Sequence, residues 1–124
     1  MSKSRSKLFP YSDRSLRTVR GFTTAIHFGR QAKHMPGHSN HDPAKSTITL
    51  PLPRLQELAE SKGGTGIWRG SNKEVVDFGV PIGTYRVPGG GSPVSTSWGT
   101  IHYSKFGAHV VPARPRPSRG RSSG

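Results

Sequence analysis

The sequence predicts a small α+β domain, in which an antiparallel sheet carries one or two short helices between basic, disordered ends. Three observations carry this reading. Residues 46–50 (STITL) and 98–104 alternate in strand fashion and are rich in β-branched and aromatic side chains. Residues 52–61 set Leu55, Leu58 and Ala59 on one helical face. The two ends lose apolar residues in favour of Arg, Ser, Pro and Gly, which cannot bury enough surface to offset the entropy of ordering.

Taken in order, residues 1–20 form a basic extension with a short helical turn expected over 12–20, and residues 21–113 form the domain. Within it, 22–28 reads as a short strand and 31–43 as a polar, turn-rich loop. A strand follows over 46–50. The helix over 52–61 has Pro53 in its first turn, where a missing N–H costs nothing, and a Gly63–Gly64 stop. Residues 73–80 and 82–87 read as further strands, 89–93 as a loop, and 98–104 with 109–112 as a hairpin. Residues 114–124 form a disordered Arg/Pro/Ser/Gly tail. Helix and hairpins on one antiparallel sheet make α+β the natural class.

Composition narrows the function. Apolar residues make up 30% of the chain and Gly and Pro number 16 and 11, so the core is small and turns are many. The absence of cysteine excludes disulfides and thiolate metal sites. No apolar run resembles a signal peptide or a membrane span, so action in a cytoplasm is expected, that of a target cell if the protein is delivered.

The formal net charge of +13 points to a polyanionic partner, nucleic acid before membrane. Its distribution is uneven. Residues 1–20 carry +5 and residues 114–124 carry +4, leaving +4 for the ninety-three residues between them. The ends therefore suit any phosphate backbone, and chemistry must come from the middle.

Three segments there could supply it. Residues 29–40 pack Arg30, Lys33, His34 and His38 into a polar loop, uniting a proton-transfer group with cations for phosphate charge. Lys45, Ser46 and Thr47 offer one charge and two hydroxyls to a phosphate. In residues 100–105 alternation puts His102 and Ser104 on one strand face and Tyr103 on the other, with Lys105 at the hairpin tip. Cleavage of RNA needs a base for the 2′-OH, an acid for the 5′-oxygen and cations for the phosphorane, all of which His and Lys provide without a metal. Each segment also has a plain alternative, a solvated basic loop or an ordinary half-buried strand with Tyr103 in the core. The spacing of His34, His38 and His41 offers a competing zinc site, but Pro36–Gly37 breaks any helix that would align the first two. Residues 62–66 (KGGTG) lack the pattern of a phosphate loop and read as a helix-ending turn.

These segments, in this order, resemble the polymorphic toxin type 50 (bacterial toxin 50) family. The resemblance rests on GRQAKHMPGH at 29–38, the Lys45–Ser46 entry to a strand, GTG at 64–66 and IHYSKFGAHVVP at 101–112, and it spans about residues 26–113. It implies a metal-independent ribonuclease domain of the barnase–EndoU–colicin–RelE type, needing no cofactor and used in bacterial or phage-related conflict. Carried over by position, it implies catalytic candidates His34, Lys45, Ser46, His102, Tyr103, Ser104 and Lys105, with Lys33 as a supporting cation. Together with the segment readings, this leads to the expectation that His34, Lys45, His102 and Lys105 are catalytic and that Lys33, Ser46, Thr47, Tyr103 and Ser104 hold the phosphate. The resemblance implies RNA as substrate and an acidic immunity protein or antitoxin as partner. The alternatives are a non-catalytic nucleic-acid binder working through its basic ends, and a phage structural accessory.

Overall fold

The computed structural model describes residues 16–35, 46–87, 89 and 91–116. Its first element is a hairpin of β1 (Thr18–Val19) and β2 (Phe22–Thr23). A strand stands where the sequence suggested a helical turn. The reason is the two-residue turn: Arg20 and Gly21 both take positive φ, 55° and 84°, the twist that lets so short a loop join two strands.

The strand expected over 22–28 stops after Thr23. His27 then caps a one-turn helix, α1 (Phe28–Gln31), its Nδ1 accepting from the Arg30 N–H, and a 3-10 turn over Ala32–His34 continues it. Beyond the undescribed residues 36–45 come β3 (Thr47–Ile48) and α2 (Leu52–Lys62). The helix has Pro53 in its first turn and Gly63 as its C-cap, and it buries Leu55, Leu58 and Ala59 as the periodicity predicted.

The remaining strands are β4 (Ile67–Trp68), β5 (Lys73–Asp77), β6 (Gly83–Tyr85), β7 (Val94–Thr96), β8 (Trp98–His102) and β9 (His109–Pro112). Their pairing is antiparallel throughout. One sheet has the order β4-β5-β8-β9 and another β3-β6-β7. The chain passes between the two at Ser97, whose hydroxyl donates to Asp77 Oδ1 at 2.8 Å. The fold is α+β.

Between the sheets and α2 lies a core that includes Ile26, Ile48, Leu55, Leu58, Val76, Phe78, Ile82, Ile101, Tyr103 and Val110. Val76, Ile101 and Val110 define the inner face of the four-stranded sheet. Lys73, His102 and His109 stand on its outer face, because paired residues share a face and successive residues alternate.

Three buried polar side chains tie the elements together. Gln56 of α2 donates to Thr24 O and accepts from Ile26 N at 2.7 and 2.9 Å. Gln31 of α1 does the same to Val110, donating to its carbonyl at 2.8 Å and accepting from its N–H at 2.7 Å. Each amide replaces a missing strand partner. Glu74 accepts from Gly64 N, Gly66 N and the Tyr103 hydroxyl at 2.9, 2.7 and 2.7 Å. The KGGTG segment is thus a helix-ending turn whose N–H groups already hold an anion, the protein's own carboxylate. Gly66 is obligatory there, since a Cβ would lie 2.1 Å from the Val75 carbonyl oxygen.

Two segments expected among the extensions make specific contacts. The Arg17 side chain hydrogen-bonds the carbonyls of Glu60 and Gly63. The Trp98 indole N–H donates to the Arg116 carbonyl at 2.9 Å. Among the described residues no helix is long and apolar enough to cross a membrane.

Candidate active site

The tip of the β8–β9 hairpin sets the geometry. Ser104 and Gly107 exchange main-chain hydrogen bonds of 3.1 Å, leaving Lys105 and Phe106 as the loop. Counting back from that turn pairs His102 with His109. Their rings stack, with centroids 4.7 Å apart and planes 14° apart.

A third imidazole joins from the other end of the domain. His34, on the 3-10 turn, lies 6.2 Å from His109 with the same 14° inclination, so the three rings form a ladder in the order His34, His109, His102. The Gln31–Val110 bonds hold α1 against β9 and so place His34 in the ladder. His34 Nδ1 lies 3.0 Å from the Ser46 carbonyl oxygen. A carbonyl only accepts, so Nδ1 carries the hydrogen and Nε2 is left to exchange a proton.

The electrostatics are one-sided. Burial, then the charges of His102, His34, Arg30 and His27, push the His109 pKa down to about 3. Burial, then Lys73 and His34, lower that of His102. Among the described residues, every charge acting on these two rings is positive. At neutral pH both imidazoles are therefore held in the neutral form, each with one ring nitrogen free of hydrogen to act as a base. His109 Nδ1 is also buried with no hydrogen-bond partner among the described residues. A phosphate placed here would supply the missing negative charge and favour protonation of the rings.

The rim adds further cations. Lys73 on β5 faces His102 in register. Arg30 Nη1 lies 3.4 Å from Ser104 Oγ, and its guanidinium carbon 5.9 Å from the Phe106 ring centre. Lys105 Nζ lies 5.4 Å from the same exposed ring.

Of the residues expected from the sequence, His34, His102, Ser46 and Ser104 come together here, Ser46 through its carbonyl. The Ser46 hydroxyl instead accepts from Arg86 N at 2.9 Å. Ser104 Oγ donates to Gly107 O at 2.9 Å and accepts from Phe106 N at 3.1 Å, so it also shapes the loop. Thr47 lies on β3 opposite Thr84, and Lys105 is exposed at the hairpin tip. Lys33 belongs to the 3-10 turn that carries His34. Tyr103 is elsewhere: its ring is inside, stacked between Phe22 and Trp68, and its hydroxyl donates to Glu74. Burial and that bond raise its pKa. Lys45, His38 and His41 lie outside the described residues.

His109, Lys73 and His27 did not emerge from the sequence. His109 was within reach, because a two-residue loop at Lys105–Phe106 forces its register with His102; Lys73 required knowledge of the β5–β8 pairing.

A family model described as bacterial toxin 50 matches residues 26–112, which include all three imidazoles of the ladder. No curated protein matches the chain.

Proposed function

Because the chain belongs to the bacterial toxin 50 family, we propose that it is an endoribonuclease toxin acting through the His34–His109–His102 ladder. The observation that carries this reading is a cluster of three stacked imidazoles in which, among the described residues, the charges acting on His102 and His109 are all positive. Proton-transfer groups arranged around an unfilled demand for negative charge suit a phosphodiester.

The chemistry assigns one bond made and one broken. Neutral His102 takes the proton of a ribose 2′-OH, and the 2′-oxygen attacks phosphorus. The bond from phosphorus to the 5′-oxygen breaks, and that oxygen takes a proton from His34 Nε2, the Nδ1 side being held by Ser46. The products are a 2′,3′-cyclic phosphate and a 5′-hydroxyl. Lys73 and Arg30 neutralise the phosphorane, and half-buried His109 keeps the two functional rings apart and parallel. The reading places the chemistry on side chains alone, with no cofactor. The substrate is RNA in the cytoplasm of a target cell, and the matching partner is an acidic immunity protein.

The test is digestion of RNA by the folded protein in EDTA, with mass spectrometry of the new ends. A cyclic phosphate is expected, with a loss of at least about a hundredfold in kcat for His102→Asn. Intact RNA, or full activity in a His34→Asn/His102→Asn double variant, overturns the mechanism.

A further inference from the structure

The outer face of the four-stranded sheet continues beyond the imidazoles. Behind the row Lys73–His102–His109 comes Val75–Thr100–Val111, and behind that Asp77–Trp98. Four residues of β8 span this distance, about 13 Å at the rise of a strand. Over the middle row lies a cavity of about 370 Å³ lined by Arg69, Lys73, Thr100, Arg114 and Arg116 along with Val75 and Ala113.

Its charge is all of one sign. The four cations are exposed, and among the described residues none makes an ion pair. Arg114 and Arg116 are held in place by contacts other than carboxylates. The Arg116 guanidinium carbon lies 5.2 Å from the Trp98 ring centre, its carbonyl receives the Trp98 indole N–H, and Arg114 lies 5.9 Å from the Tyr85 ring centre. A neighbouring cavity over Thr65, Gly66, Ile67 and Trp98 contains Asp77 and neither Lys nor Arg. The positive track is therefore bounded on that side and open towards His102, with Lys73 belonging to both groove and site.

The geometry points to this groove as the track of the RNA strand flanking the cleaved phosphate, a backbone-binding surface separate from the reacting groups. The assignment rests on the ribonuclease reading for its role, though not for its chemistry. Unpaired guanidinium groups over a sheet face, continuous with a phosphate-seeking cluster, fit a sugar–phosphate chain whatever its sequence.

The experiment measures binding of a fluorescent single-stranded 2′-O-methyl RNA, which cannot be cleaved by 2′-OH attack, to the full chain across a salt series. Arg69→Gln/Arg114→Gln removes two groove charges. Arg54→Gln/Lys62→Gln removes two from α2, which packs on the sheet's inner face, and controls for net charge. The groove variant should weaken binding about tenfold and lower the slope of log Kd against log salt by about 1.4, with the α2 variant near wild type. Its kcat on a dinucleotide should stay at the wild-type value. Equal effects of the two variants, or unchanged RNA affinity with lost binding of polyglutamate, overturn the proposal; the second result assigns the groove to an acidic protein. Loss of RNA binding confined to the groove variant, in a protein that cleaves nothing, supports the groove while refuting the nuclease.

Discussion

Lys73 stands opposite His102 across the β5–β8 pairing, and its charge is the largest charge effect lowering the His102 pKa, second only to burial. Removing that charge lets the imidazole hold its proton to higher pH. In Lys73→Met the acid limb of kcat/KM against pH should therefore move upwards, towards the ordinary histidine value. An acid limb that stays in place would show that His102 is not the group titrating in the free enzyme.

A second prediction concerns stability in acid. The unfolded chain binds a proton at His109 near pH 6.5, while the folded chain binds it only near pH 3. Between those values the unfolded state holds more protons, so stability falls as pH falls, by at most about 1.4 kcal/mol per pH unit from this group. Urea unfolding between pH 7 and 4 should show this slope, and it should flatten in His109→Asn. An unchanged slope would assign the acid sensitivity to other groups.

Glu74 is wholly buried and accepts three hydrogen bonds. Glu74→Gln sets an amide NH₂ among donors and should destabilise the fold by about 3 kcal/mol in urea titrations. Tyr103→Phe removes one donor and should cost about 1 kcal/mol. Its kcat should stay within about twofold of wild type, because the hydroxyl faces the core rather than the ladder. A large fall in kcat without a fall in stability would return Tyr103 to the site.

Gln31→Leu leaves the main-chain N–H and carbonyl of Val110 without their partner. A loss of about 2–3 kcal/mol is expected. Hydrogen exchange at the Val110 amide should rise, and kcat should fall as His34 leaves the ladder. Wild-type exchange at that amide would show that another group takes over the bond.

The sequence made some features legible and hid others for physical reasons. The helix Leu52–Lys62 was readable because its stop and apolar stripe are local, and β8 with β9 because alternation survives in a two-sided hairpin. The strands Ile67–Trp68 and Val94–Thr96 are too short to show a period. Residues 22–28 looked like one strand because His27 is a cap only through a bond to the Arg30 N–H, which no pattern displays. His34 and His102 were found as chemical types. Their joint placement depends on His109 between them and on an amide bond pair to a distant strand, and long-range packing leaves no mark on local spacing.

Gln31 and Val110 are 79 positions apart in the chain, and His34 and His109 of the imidazole ladder are separated by almost as many. During synthesis His34 emerges long before β9, so a nascent chain holds its first imidazole with nothing to stack against. The cluster comes into being only at closure, when the last strand docks. The cluster is consequently assembled only after nearly all of the described chain has been made, and a fragment ending before His109 cannot form it.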